Sequence, residues 1–490
     1  MLYDAREVPP GTVVEREVCV IGAGAAGITL ALELAGAPFR VALLESGGFE
    51  PEPETQDLYR GRVYGRAYPP LHEARTRRFG GSTHCWTGIC RPLEAIDLEA
   101  REWVPHSGWP FGLATLRPFY ERAQRVCLLE DFVYDGSTWA SASRPLLPLE
   151  LGLVETRNFQ QAATRFGEVH RAAITGAANV DTFLHANAVE LRVNEVGSRI
   201  ESVRATTLAG RELELRARAF VVATGGIETP RLLLASNRTQ PQGIGNAHDL
   251  VGRFFMEHPH VTVAAFLPAR SDLPLDLYLP HPRGRVLACG VLVPTEAVQR
   301  RERILDFWAV LGSEGTLPSF ERSLARSVHA LEGAPGEAAS RAVFLLAAGE
   351  QAPNPQSRVR LVPERDALGM PRVQLEWRLS ALDKRSLLRG HQLIGRELAR
   401  AGLGRLQVLL SHDDAEWPDD LAGGRHHMGT TRMHDDPRQG VVDASCRVHG
   451  VANLFVAGSS VFPTSGGASP TLTIVALAIR LADHLKEVLA

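Results

Sequence analysis

VCVIGAGAAGITLALEL, residues Val18 to Leu34, is the stretch whose reading decides the fold. Val18, Cys19, Val20 and Ile21 form a short apolar run that reads as a buried strand. Gly22, Gly24 and Gly27 follow at the G-x-G-x-x-G spacing, and Ile28 to Leu34 continue as a helix of small and aliphatic residues. Each glycine serves a different purpose. Gly22 makes the tight turn, Gly24 lets the backbone approach a pyrophosphate, and Gly27 lets helix and strand pack closely. The helix, entered through Ala25, turns its free N–H groups toward the negative charge. The next run, Arg40 to Leu44, ends in Glu45 and Ser46, close to where a carboxylate grips a ribose diol. That carboxylate repels a 2′-phosphate, so the unit predicts a bound dinucleotide other than an NADP type.

FAD and NAD share this fingerprint, and the rest of the chain chooses between them. Val221 to Ala223 read as a buried strand ending in the small turn Thr224-Gly225-Gly226, followed by a helix opened by Pro230 and running Arg231 to Ala235. Leu454 to Ala457 form another buried strand, which ends at Gly458, Ser459 and Ser460. Such returns to the nucleotide suit FAD, whose longer flavin end needs further backbone contacts; Val189, Ala223, Gly225, Gly458 and Ser459 are the expected contacts. Gly243-Ile-Gly245-Asn-Ala-His248 has no apolar strand before it and reads as a loop. With no second strand-linked motif for NAD(P)H, the substrate itself is the expected electron donor.

Several spaced motifs, in order, resemble the glucose-methanol-choline (GMC) oxidoreductases. They are the N-terminal unit, Arg78-Phe-Gly80-Gly81-Ser82-Thr83, Gly252-Arg253-Phe-Phe-Met256-Glu257-His258-Pro259, and His426-x-x-Gly429-Thr430-x-Arg432-Met433 with Pro470-Thr471-Leu472-Thr473. The resemblance implies an FAD flavoprotein that oxidises a CH–OH group of a sugar, glycoside or other polyol to a carbonyl, with hydride passing to flavin N5. It further implies a Rossmann-type FAD-binding α/β domain with an inserted α+β substrate domain on a mainly antiparallel sheet. The division expected is 1–258 and 421–490 for FAD, the latter with the catalytic loop, and 259–420 for substrate. Gly80, Gly81 and Ser82 join the expected cofactor contacts, as do Pro470 and Thr471. A lyase of the same fold, acting on a cyanohydrin without redox chemistry, is the alternative.

Alcohol oxidation by hydride transfer is eased when a base takes the hydroxyl proton, and a neutral imidazole suits that role. The family spacing falls on His426, the expected base, leaving His427 structural or at the pocket rim. The base's usual partner, Asn or His just before the Pro-Thr of the last helix, is here Ser469. A hydroxyl still hydrogen-bonds a substrate oxygen but is no second base. Some members attach the flavin covalently to a histidine in the Gly80–Gly88 loop; that position falls on Cys85, beside His84. The expectation is a non-covalent FAD with Cys85 as a small packed residue. Arg75, Arg77 and Arg78 stand ready to neutralise the pyrophosphate. His426, His427, His434, Asp435 and Asp436 lack zinc-type spacing, and no metal is expected. Trp103, His106, Trp109 and Phe111 read as loop anchors rather than sugar-stacking rings, and His258 as a satisfied hinge residue.

The chain has 490 residues, enough for two domains, and its 53 basic and 56 acidic residues form no long basic run, so nothing calls for nucleic acid. The expected partners are a small alcohol or sugar and an electron acceptor, whether oxygen, a quinone or a redox protein. No apolar stretch reaches membrane-spanning length. Met1-Leu-Tyr-Asp-Ala-Arg-Glu-Val-Pro-Pro lacks a signal-peptide pattern, and six scattered cysteines, with Cys19 buried in the first strand, fit a reduced cytoplasmic protein. Arg358–Val362 and Arg372–Trp377 alternate as half-buried strands around a turn at Asp366 and Gly369, residues 383–401 read as an amphipathic helix, and Glu332–Glu337 as an exposed loop.

Overall fold

The computed structural model describes residues 1–162, 164–312, 343–413 and 416–490; the Glu332–Glu337 stretch lies outside the described residues. Val18 to Ile21 end a ten-residue strand, Thr12–Ile21, in which Val18, Cys19 and Val20 are fully buried. The turn passes directly into a helix, Ala25–Leu34, and Val41–Leu44 pairs parallel to the first strand. A Cβ added to Gly27 would lie 1.8 Å from the Gly22 carbonyl oxygen, so only glycine lets this helix sit on its turn.

An eight-stranded sheet grows from this unit in the order Leu2–Asp4, Val180–Leu184, Val41–Leu44, Thr12–Ile21, Glu212–Val222, Ile200–Thr206, Asn187–Val193. Glu212–Val222 is long enough to serve two partners along one edge. Glu212 to Leu215 pair with Ile200–Thr206, and Phe220 to Val222 pair parallel with Leu454–Val456. The chain's late return therefore ends beside Val222 and delivers Gly458 to the same sheet end as Gly22 and Thr224. The last helix, Thr471–Leu489, packs on Ala25–Leu34. Its fully buried Leu472, Val475 and Ile479 each contribute about 1.5–3 kcal/mol relative to exposure, which fixes the position of Pro470 and Thr471.

A nine-stranded antiparallel sheet stands over the open end of the first. Its main order is Gly404–Val408, Pro259–Pro268, Val343–Gly349, Phe307–Gly312, Val286–Pro294, Val154–Gln161, Ile89–Cys90. Two of these strands come from before residue 258, because Val154–Gln161 completes the hydrogen bonding of Val286–Pro294. Arg358–Arg365 and Pro371–Trp377 pair antiparallel around the Asp366–Gly369 turn, but in a separate three-stranded sheet with Gly61–Gly65. The amphipathic helix runs Ala381–Arg400 and starts with a capping box between Ser380 and Asp383. No helix among the described residues is long and apolar enough to cross a membrane.

The helix after Val222 differs from its sequence reading. It begins at Gly225, not at Pro230, which sits inside it. A proline there has no N–H for the carbonyl four residues back and would leave Gly226 O unpaired. Thr430 Oγ1 donates to that oxygen at 2.7 Å. The lost helical bond is thus replaced by one from the histidine loop.

Candidate active site

Between the sheets lies a cavity of about 680 Å³, within the range of about 300–1,000 Å³ typical of ligand sites. At one end three helices point their N-termini at it: Ala25–Leu34, Gly225–Ala235 and Thr471–Leu489, none with a side-chain cap. Their leading N–H groups are thus free for a ligand's oxygens. Gly24, Gly225 and Gly458 line the cavity with open space where a side chain would stand. Glu45 Oε2 accepts the Ala23 N–H at 3.0 Å, and Oε1 accepts those of Gly47 and the Ser46 hydroxyl. Arg77 and Arg78 line the same end, and Arg78 Nε is buried without a partner. Uncapped helix ends, open glycines, an anchored carboxylate and an orphan guanidinium nitrogen fit the phosphates and ribose of FAD.

Most of the expected contacts meet here: Gly22, Gly24, Ala25, Glu45, Ser46, Gly81, Ser82, Ala223, Gly225, Gly458, Ser459, Ser469, Pro470, Thr471 and His426 all line the cavity. Gly27 and Gly80 do not line it; they form the packing behind the wall, where Gly80 N–H donates to Ala23 O at 2.8 Å. Val189 lies in the core, while Ala186 and Ala188 line the cavity. Arg75 is buried against Glu228 at 2.8 Å and spent there. Cys85, expected to be packed, is exposed on the cavity wall, while the His84 ring turns away to Phe79 O at 2.8 Å. Trp109 anchors its loop by donating to Thr464 Oγ1 at 2.8 Å, and Trp103 donates to Ile304 O.

The other end is built from histidines. Met256 and Met428 exchange backbone hydrogen bonds at 3.0 Å, and Gly429 and Thr431 donate to Ser459 and Ser460. This stitching sets His426 beside His258, with Nδ1 to Nδ1 at 2.8 Å. His258 Nε2 lies 2.8 Å from Gly466 O. A carbonyl only accepts, so His258 Nε2 carries hydrogen. Burial pushes the His258 pKa down to about 4, so its Nδ1 is a bare acceptor at neutral pH. His426 must then donate from Nδ1, which leaves its Nε2 bare. Burial, then the neighbouring imidazoles of His258, His260 and His427, hold His426 well below the ordinary histidine range and therefore neutral.

Glu257 secures this arrangement. Its Oε2 accepts the His426 N–H at 2.8 Å and its own neighbour's, His258, at 3.2 Å, while Tyr68 OH donates to Oε1. Burial pushes the Glu257 carboxyl up to about 7 against the pull of those bonds. Tyr68 in turn meets His427 Nε2 at 2.8 Å, which ties the second loop histidine into the scaffold. Sequence reading passed over Tyr68, which carries no local signal, and quoted Glu257 in its motif without giving it a role. It set His258 aside, although two histidines at positions 258 and 260 share one face of an extended strand and were a usable sign.

Comparison with known proteins agrees with this geometry. Residues 17–245 match the FAD dependent oxidoreductase family model and residues 353–478 the GMC oxidoreductase C-terminal model. The chain is 26% identical to 2-methyl-1,2-propanediol dehydrogenase of Mycolicibacterium austroafricanum, over 96% of this chain and 95% of that one. It is 27% identical to paromamine 6′-oxidase of Streptomyces fradiae, over 95% and 90%. Among solved structures, formate oxidase superposes with a TM-score of 0.61 at 16% identity, covering 98% of this chain and 99% of the other, a likeness of fold. With the motifs, the two-sheet fold and the cavity in agreement, the chain joins an FAD dependent oxidoreductase domain to a GMC oxidoreductase domain and is an FAD-dependent oxidoreductase acting on CH–OH donors.

Proposed function

We propose that the protein oxidises a hydroxyl of a sugar, glycoside or other polyol, with His426 Nε2 taking the hydroxyl proton. The observation that carries this reading is the chain Gly466 O, His258, His426, which leaves one bare imidazole nitrogen on a residue that lines the cavity. Bound FAD supplies the hydride acceptor. Everything else comes from this chain. Gly24 and Ala25 with Arg78 receive the phosphates, and Glu45 the ribose. Pro470 and Thr471 present a third helix N-terminus to the cavity, where negative charge is favoured. The apolar wall of Trp86, Ile89, Trp308 and Leu346 excludes water. When the proton arrives at Nε2, the positive ring keeps its Nδ1–H bond to His258, so the charge forms against an acceptor already in place.

The substrate class rests on the relatives, one named for 2-methyl-1,2-propanediol and one for paromamine. The test is an oxygen-free mixture of holoprotein with 2-methylpropane-1,2-diol, D-glucose, methyl β-D-glucoside and paromamine. Bleaching of the visible flavin band by at least one is expected. A band that none of them bleaches contradicts the polyol reading.

A further inference from the structure

His260 is the histidine of the cluster that no described residue satisfies. It is the second residue of the strand Pro259–Pro268, where it pairs with Ala348, and Ala348 pairs with Trp308 on the next strand. Residues paired directly across a sheet share a face, so His260, Ala348 and Trp308 form one row. The small Ala348 lets the two rings meet over it, with centroids 5.8 Å apart. His260 and Trp308 both line the cavity, and the His260 ring centroid is 6.0 Å from that of His426. Its Nε2 is buried without a partner, against Gly424, where an added Cβ would stand 2.9 Å away. Its Nδ1 is not sealed off, and no group among the described residues bonds it.

A neutral imidazole has one N–H and one lone pair. Burial holds His260 neutral at physiological pH by pushing its pKa down to about 4. Hydrogen on Nε2 would bury an unsatisfied donor against Gly424. Hydrogen on Nδ1 leaves only a bare lone pair there and puts the donor on the ring nitrogen that is not walled in, on a residue that lines the cavity. His426 in its resting tautomer is an acceptor alone. An alcohol about to lose its proton needs both, an acceptor for the hydrogen and a donor for the oxygen that is left charged. Ser469 offers a hydroxyl but no imidazole.

We propose that His260 supplies the second imidazole of the reaction, donating a hydrogen bond from Nδ1 to the substrate oxygen while His426 Nε2 removes that oxygen's proton. The partner is thereby drawn from the substrate sheet and not from position 469. This rests on His426 being the base.

The test compares His260→Ala, His260→Gln, Ser469→Ala and His426→Ala as holoproteins whose flavin band confirms bound FAD. Two quantities are read: the rate of anaerobic flavin reduction by the fastest of the four donors above, and the affinity for 2,2,2-trifluoroethanol, a poor hydride donor, from its perturbation of the flavin spectrum. His260→Ala is expected to slow reduction about 10²-fold and weaken trifluoroethanol about tenfold. His260→Gln, which keeps an N–H donor, recovers part of both, and Ser469→Ala loses less of each than His260→Ala does. His260→Ala within about twofold of the parent on both counts overturns the proposal. Should no donor reduce the parent, trifluoroethanol alone decides, and equal or absent binding in parent and His260→Ala overturns it. Full reduction by His426→Ala removes the base reading and His260's role with it; a silent His426→Ala beside a normal His260→Ala removes only the latter.

Discussion

The two ends of the cavity are built on different principles. The phosphate end is made of backbone: glycines with no side chain to intrude and three uncapped helix starts, all at one end of one sheet. The histidine end is made of side chains from three separate places, Tyr68, Glu257 with His258, and the 426–427 loop, closed by the Gly466 carbonyl, each holding the next by a hydrogen bond. A backbone site is written in contiguous residues. A side-chain site is written in pairings that only the folded sheets create. The first tolerates little change at its glycines, and the second should fail step by step as its links are cut.

The largest effect is expected at the first end. Gly27→Val drives a Cβ into the Gly22 carbonyl, so the turn cannot close, and the purified protein should show no flavin band even after incubation with FAD. Retention of FAD would mean that the helix can shift off its strand.

At the second end, Glu257→Leu should keep FAD but slow its anaerobic reduction by roughly 10²-fold, because it leaves the buried backbone N–H groups of His258 and His426 without their acceptor. Rates near the parent's would show that the loop is held by its backbone pairing with Met256 alone.

His258→Ala should lower the rate by about tenfold and change its pH dependence. The proposed base His426 acts as the neutral ring, its pKa is held well below 6.5, and kcat/KM of the parent should hold constant down through pH 6.5 before falling in more acid solution. With His258 gone, water replaces a buried imidazole and the acid limb moves up toward about 6.5. An unshifted limb would show that burial holds His426 down without any contribution from the His258 ring.

The smallest effect concerns the seam between the ends. Thr430→Val leaves Gly226 O buried and unpaired, and should reduce unfolding free energy by about 1–3 kcal/mol with little change in reduction rate. Denaturant unfolding of the two proteins measures it.

This contrast also explains what the sequence disclosed. Gly22, Gly24, Glu45 and the fold class follow from contiguous residues, and His426 from the spacing of one loop. Pro230 misled, because a proline reads as a helix start unless a distant hydroxyl repairs the bond it breaks, and Thr430 is two hundred residues away. Val189 was named where Ala186 and Ala188 face the cavity, since a bulge between Ala188 and Glu190 upsets simple alternation. His258 and His260 were visible as residues, but their meaning depends on Gly466, Gly424 and Trp308, which no local pattern brings near.

The most direct test of the central claim is anaerobic flavin reduction in His426→Ala beside the parent, both carrying FAD and mixed with the same donor. Loss of a single bare imidazole nitrogen should cut the rate by about 10³-fold or more while the flavin spectrum before mixing is unchanged. Reduction at the parent's rate would contradict the claim that this nitrogen receives the substrate's proton.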